Sequence, residues 1–264
     1  MRFDVITLFP ELFVPFLSSG INRRAFETGA VELKLWQLRD YADGTYRRVD
    51  DRPFGGGPGM VMLAEPLEKC LQAIRQDRAF KSPSESPVPV ILFSPIGQPL
   101  NHAGVEEWSQ SEGAILICGR YEGLDQRFID QHVDVQVSLG DFVLSGGEIA
   151  AIALLDAVAR LQPGVLNDVG SHQMDSFNPA LDGLLDCGHF TRPEVWKDIT
   201  VPPVLMSGHH ADIAKWRRQQ SLVLTQKYRP DLIVGARLTG KLSAQDENFL
   251  SSLGASGLVE SKSD

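Results

Sequence analysis

Five short runs rich in Val, Ile, Leu and Phe recur along the first half of the chain: Phe3 to Phe9, Val31 to Trp36, Val88 to Phe93, Ala114 to Cys118 and Val133 to Val137. Each has the length of a buried strand. Helical segments lie between them. Ala64 to Arg75 puts Leu67, Leu71 and Ile74 on one stripe. His102 to Gln110 follows Asn101, whose side chain can cap a first turn. Gly147 to Leu161 is apolar nearly all round, with Ile149, Ile152, Leu154, Leu155 and Val158, which predicts a helix buried in the core. Strands that alternate with helices make an α/β fold around a mostly parallel sheet. Its ligand site is then expected beyond the carboxyl ends of the strands.

Three glycine-bearing polar loops fall at such places: Val49-Asp50-Asp51-Arg52-Pro53-Phe54-Gly55-Gly56-Gly57-Pro58-Gly59-Met60, Gly119-Arg120-Tyr121-Glu122-Gly123, and Gly140-Asp141-Phe142-Val143-Leu144-Ser145-Gly146-Gly147-Glu148. Glycine lets main-chain N–H groups approach a flat or anionic ligand with no Cβ in the way. Any one of them alone reads as a turn; three in one chain point to a composite site. The Gly-x-Gly-x-x-Gly dinucleotide fingerprint and the P-loop ending Gly-Lys-Ser/Thr are both absent from the sequence. A nucleoside cofactor held without the usual turn fits better, with Leu92-Phe93-Ser94-Pro95 as a wall of its pocket.

The net charge of −9 argues against a protein that coats nucleic acid indiscriminately. Between His209 and Arg229, however, five basic residues (Lys215, Arg217, Arg218, Lys227, Arg229) face one acid, Asp212. Such a patch is either a solvated helix face or the docking place of a folded anionic partner. Cys70, Cys118 and Cys187 are scattered and odd in number, which points to reduced thiols in a cytoplasmic protein and to no structural zinc. The apolar run Ile149 to Leu155 is too short to span a bilayer, so no membrane association is expected.

Composition divides the chain. Residues 1–162 carry the strand–helix alternation, and residues 163–190 lose periodicity and read as a flexible linker. Residues 191–264 read as a small helical domain. In it, Ile213, Trp216, Val223 and Leu224 are expected on the buried stripe, with Lys215 and Arg218 on the opposite face. The Pro/Ser-rich stretch from Lys81 to Pro89 is a surface loop with no chemistry of its own.

The motifs together carry a resemblance. Ile6-Thr7-Leu8-Phe9-Pro10-Glu11, the loop from Val49 to Met60, Cys118-Gly119-Arg120-Tyr121-Glu122-Gly123 and the run from Gly140 to Glu148 form an ordered set. Leu184-Leu185-Asp186-Cys187, Phe190-Thr191-Arg192-Pro193, Val201-Pro202-Pro203-Val204-Leu205, Ser207-Gly208 and Trp216-Arg217 complete it. The chain resembles the bacterial tRNA (guanine-N1)-methyltransferases, members of the trefoil-knotted methyltransferase superfamily. That resemblance implies a deep trefoil knot, a topology otherwise almost absent from proteins. It also implies S-adenosylmethionine as methyl donor and magnesium for activity. The substrate it implies is N1 of the guanosine immediately 3′ of the anticodon in tRNA.

Carried over residue by residue, the resemblance assigns the cofactor to Ser94, Pro95, Gly119, Tyr121, Glu122, Gly123, Leu139, Gly140, Asp141, Phe142, Val143 and Leu144, with Gly146 and Gly147 keeping the approach clear. It makes Asp175 the general base that removes the guanine N1 proton, a task that burial of the carboxylate favours. Asp168 is the runner-up acid. Arg160 is assigned to the charge that develops on guanine O6, although its spacing also allows an i, i+4 pair with Asp156. Glu122 is a candidate for the methionine end of the cofactor or a metal ion. Gly57, Pro58 and Gly59, with Lys215, Arg217 and Arg218, are the implied tRNA contacts. The implied assembly is a homodimer that shares its active sites. Two rivals stay open: a knotted methyltransferase for another RNA base, and an RNA-binding module without catalysis.

Overall fold

The computed structural model of this chain describes residues 1–81, 87–166 and 172–257. The runner-up acid Asp168 and most of the Pro/Ser-rich stretch lie outside them. The chain divides into two compact units, Met1–Val169 and Gly170–Asp264. Among the described residues no helix is long and apolar enough to cross a membrane.

In the first unit the elements run β1 (Arg2–Thr7), α1 (Val14–Ser18), α2 (Asn22–Glu27), β2 (Glu32–Gln37), β3 (Asp50–Asp51), β4 (Val61–Met62) and α3 (Ala64–Lys81). They continue with β5 (Val90–Pro99), α4 (His102–Ser109), β6 (Gly113–Ile117), α5 (Gln126–His132), β7 (Val135–Ser138) and α6 (Glu148–Ala159). Five strands form a wholly parallel sheet in the order β2-β1-β6-β5-β7. Successive side chains of a strand point to opposite faces, and both faces here are apolar. Phe3, Val5, Ala114 and Leu116 pack with Ala151, Leu154, Leu155 and Val158 of α6. Ile6, Ile115 and Ile117 pack with Leu67, Cys70, Leu71 and Ile74 of α3. Each of these fully buried Leu and Ile side chains contributes on the order of 1.5–3 kcal/mol, so the helices hold the sheet from both sides.

Two elements outrun their sequence pattern. β5 continues past Phe93 to Pro99 through a register shift between Phe93 and Gln98. Gly97 makes this possible, because a Cβ there would fall 2.4 Å from the Val137 amide nitrogen. α3 continues past Arg75 to Lys81 because Arg78 is drawn under β1. There its Nε donates to Asp4 Oδ2 at 2.6 Å and its Nη2 to the Arg2 carbonyl at 2.6 Å.

The second unit holds β8 (Val195–Trp196), β9 (Ile199–Thr200), α7 (Pro203–Met206), α8 (His210–Tyr228), α9 (Pro230–Leu238) and α10 (Ala244–Gly257). Its core gathers Leu184, Leu222, Ile233, Ala236 and Leu250. The inward face of α8 differs from the expected stripe: Ser221, Leu222 and Thr225 are buried, while Ile213, Trp216, Val223 and Leu224 are only partly so. Arg218 turns toward this inner face. Its guanidinium bonds Asp246 through Nε and Nη2, both at 3.0 Å, and Asp182 through Nη2 at 2.8 Å. A charged side chain can face inward when its charge is matched, and apolar periodicity cannot register that exception.

Candidate active site

The irregular segment of β5 between Phe93 and Gln98 and the loops that follow β6 and β7 lie toward the carboxyl ends of adjacent strands, where a parallel sheet presents its ligand. Those after β6 and β7 touch through their backbones. Gly147 donates its amide to the Gly119 carbonyl at 2.9 Å, and Arg120 bridges antiparallel to Gly146. No side chain fits between them: a Cβ on Gly147 would lie 2.8 Å from Cys118 Cα, and one on Gly146 would lie 2.2 Å from Arg120 Nε. Tyr121 at φ 60° takes the sharp turn that directs Glu122 and Gly123 outward. Past β7, Ser138 Oγ accepts the Gly140 amide at 3.1 Å, and Phe142 folds its ring over Gly140. Leu139 and Gly140 are partly covered, whereas Asp141, Phe142, Val143 and Leu144 are exposed. Ser94 is partly covered and Pro95 exposed; the Ser94 hydroxyl accepts the Ile96 amide at 3.4 Å.

The Gly-rich loop joins the same assembly. β3 and β4 close it as an antiparallel hairpin, an element the sequence pattern did not announce. β4 then zips along the loop after β6, with Glu122 donating its amide to the Met60 carbonyl at 3.0 Å and Met62 to the Gly123 carbonyl at 2.9 Å. Gly57, Pro58 and Gly59 stay exposed beside it. The Glu122 side chain lies directly over Gly59, where a Cβ would meet Glu122 Oε1 at 2.4 Å. The structure therefore brings the implied substrate loop and the implied cofactor loops into one surface.

Arg120 and Glu148 are site residues that sequence reasoning did not single out. Glu148 opens α6 with a side chain 1% exposed, and Arg120 Nε reaches its Oε2 at 2.9 Å. Thr7 Oγ1 donates to Glu148 Oε1 at 2.9 Å, and the Arg120 guanidinium lies 4.5 Å from the Phe9 ring centroid. A carboxylate in the first turn of an otherwise mostly apolar helix was the available clue. Burial, with the Glu148 charge adding to it, pushes the Cys118 thiol well above its usual range. It stays protonated and is no nucleophile.

Arg160 caps the far end of α6 and is half-buried. At about 1.5 Å per residue, it stands roughly 18 Å along the helix axis from Glu148. The Asp156 carboxylate accepts the Asn22 side-chain amide, and the Arg160 backbone amide donates to the Asp156 carbonyl at 3.2 Å. Asp175 belongs to the second unit. It is half-buried in a compact turn: its amide donates to the His172 carbonyl at 3.3 Å, and its carbonyl accepts the Asn178 amide at 3.2 Å. The buried Asn178 side chain donates to the His172 carbonyl at 3.0 Å and accepts from Ala180 at 2.9 Å. Ser176 Oγ accepts the Asp186 amide at 2.9 Å. The backbone around Asp175 is thus fixed locally by hydrogen bonds, although apolar periodicity is missing from this stretch.

Lys215 and Arg217 are exposed on α8. Beside them a cleft of about 510 Å³ is lined by Pro203, Val204, Ser207, Lys215 and Trp216. Phe190 braces Trp216 edge-on at 6.0 Å. Among the described residues, no group of three or more His, Cys, Asp and Glu side chains could hold a metal ion.

The main chain at Gly123 and Gly140, with positive φ of 125° and 146°, and the exposed Tyr121, Phe142 and Val143 suit a ligand that is part apolar and part hydrogen-bonding. Comparison with known proteins gives the family. The family model described as tRNA (Guanine-1)-methyltransferase TrmD matches residues 1–235. A tRNA (guanine-N(1)-)-methyltransferase of Polaromonas sp. (strain JS666) is 70% identical over 253 residues, covering 96% of this chain and 97% of the relative. Those of Paracidovorax citrulli and Bordetella pertussis are 67% and 54% identical, each covering 96% of this chain and 98% of the relative. The chain belongs to the tRNA (guanine-1)-methyltransferase family.

Proposed function

We propose that this chain methylates N1 of the guanosine immediately 3′ of the anticodon in tRNA, with S-adenosylmethionine as donor. The observation that carries the reading is the joined surface of the loops after β6 and β7 and the Gly-rich loop, with Glu122 lying over Gly59. When bound, the donor supplies an electrophilic methyl group on a sulfonium. Main-chain groups of Gly119 to Gly123 and Leu139 to Leu144 hold it, and Gly146 and Gly147 keep the two loops close. Asp175 takes the N1 proton, and Arg160 faces the negative charge that then spreads to O6. The target base leaves its stack to reach the site, which a loop nucleotide does readily.

Arg160 stands about 18 Å along α6 from Glu148, at the end of the helix opposite the loop after β7. This supports a homodimer in which Arg160 and Asp175 serve the loops of the other copy. Leu12, Val14, Val143 and Ile149 of the first unit are exposed apolar residues that a second copy would cover. Lys215 and Arg217, beside the Trp216 cleft, grip the phosphates of the anticodon arm. Arg218 is left out of that role, because its guanidinium is committed to Asp246 and Asp182. The close crossing of the loops after β6 and β7 supports a trefoil threading of the backbone there. The enzyme is placed in the cytoplasm with its tRNA. Magnesium, implied for activity by the resemblance, finds no cluster of three His, Cys, Asp or Glu ligands among the described residues.

Transfer of a labelled methyl group to paired tRNA transcripts tests the reading. Labelling is expected with guanosine 3′ of the anticodon and not with adenosine there. Equal labelling of both, or of neither, overturns the assigned target.

A further inference from the structure

The ends of β1 and β6 and the start of α6 are tied together at one buried charge pair. Arg120 and Glu148, 17% and 1% exposed, approach to 2.9 Å between Nε and Oε2. The approach is oblique and lacks hydrogen-bond alignment, so the attraction is that of opposite charges. Thr7 Oγ1 holds the other carboxylate oxygen at 2.9 Å and accepts the Phe9 amide at 2.9 Å. Arg120 Nη1 also donates to the Ser145 carbonyl at 3.2 Å. A carboxylate this buried persists only while its charge is matched, and its place in the first turn of α6 adds the favourable helix dipole. On the chain, Arg120 directly precedes Tyr121-Glu122-Gly123, and Glu148 directly follows Gly146-Gly147. Fixing this one pair therefore fixes the direction of both cofactor loops.

We propose that Arg120 and Glu148 are positioning residues: their ion pair is a clasp that sets the loops after β6 and β7 for cofactor binding. The proposal rests on the reading of those loops as the S-adenosylmethionine site. The clasp acts on cofactor affinity and leaves RNA binding unchanged. It also carries an unusual sign. Losing Arg120 alone strands a buried charge, whereas losing both charges does not, so removing the second partner repairs part of the damage done by removing the first.

The experiment measures S-adenosylmethionine binding by calorimetry, KM for each substrate and thermal melting for the full-length Arg120→Met, Glu148→Gln and double variants. Arg120→Met is expected to weaken cofactor binding about tenfold while the tRNA KM stays within about twofold, and adding Glu148→Gln recovers most of the loss. Arg120→Lys, which keeps the charge, falls between wild type and Arg120→Met. A double variant as weak as Arg120→Met overturns the clasp, as does a tRNA KM that rises in step with the cofactor KM. If Arg120→Met does not fold, Glu148→Gln and Arg120→Lys decide: a raised cofactor KM with unchanged tRNA KM supports the clasp, and equal KM values contradict it. Wild-type protein that binds neither the donor nor its demethylated product removes the underlying reading instead.

Discussion

Gly147 donates its amide to the Gly119 carbonyl at 2.9 Å, so close under the end of β6 that a methyl group on Gly147 would stand 2.8 Å from Cys118 Cα. The three atoms it would meet, Cys118 Cα and C and Gly119 N, are all backbone, which cannot rotate away. Gly147→Ala is therefore expected to destabilise the protein by about 1–3 kcal/mol and to weaken S-adenosylmethionine binding. Thermal melting and calorimetry check this; a variant that melts and binds as wild type contradicts the loop packing.

Gly59 has a different constraint. Its φ is 83° and the Glu122 side chain lies over it. A Cβ there meets a movable carboxylate rather than backbone, so Gly59→Ala displaces Glu122 and strains one exposed turn. Methyl transfer should fall at least tenfold while stability drops by only about 1 kcal/mol. Steady-state rates alongside urea unfolding separate the two effects.

The sheet was legible because its strands are apolar on both faces: Ile115 and Leu116 are both buried, each against a different helix. Glycine-rich punctuation likewise marked the loops at the strand ends. Periodicity could not show what charges do once buried. Arg218 read as an outward residue because basic side chains usually are, yet Asp246 and Asp182 turn it inward. Arg120 and Glu148 lay within motifs that were noticed for their glycines, and their pairing needs the fold, because 28 residues separate them in the sequence. The turn around Asp175 has no apolar stripe at all; its order comes from the Asn178 amide, a local polar device invisible to hydrophobic spacing.

Asp4 tests how much the first unit depends on a buried charge. It is 0% exposed and accepts from Arg2 at 2.6 Å, Arg78 at 2.6 Å and Trp36 at 2.8 Å. Asp4→Asn leaves Arg78 without its carboxylate and Arg2 with Asp77 alone, at a cost of about 3–5 kcal/mol. Urea unfolding reads that loss, and activity per folded molecule should stay near wild type.

Arg218 and its neighbours on α8 separate stability from RNA binding. Burial alone would push the Asp246 carboxyl up, but hydrogen bonds from Arg218 and Ser243 outweigh it and hold the group below its ordinary value. A carboxyl depressed in the fold gives stability that is present above the unfolded value of about 3.9. That stability is lost as pH falls through the folded value. Arg218→Ala should therefore move acid unfolding to higher pH. Lys215→Ala and Arg217→Ala should leave it in place, weaken tRNA binding, and each lower the slope of log affinity against log salt by about 1. Acid titrations followed by circular dichroism, and binding isotherms at several salt concentrations, give both readouts.

The most direct test of the whole account is nucleoside mass analysis of tRNA incubated with S-adenosylmethionine and either wild-type protein or Asp175→Asn. The account predicts 1-methylguanosine, confined to the nucleotide 3′ of the anticodon, with wild type. It predicts a loss of at least about 100-fold in the variant, the scale of a missing general base. Methylation at another atom or position, or an undiminished yield from Asp175→Asn, would contradict it.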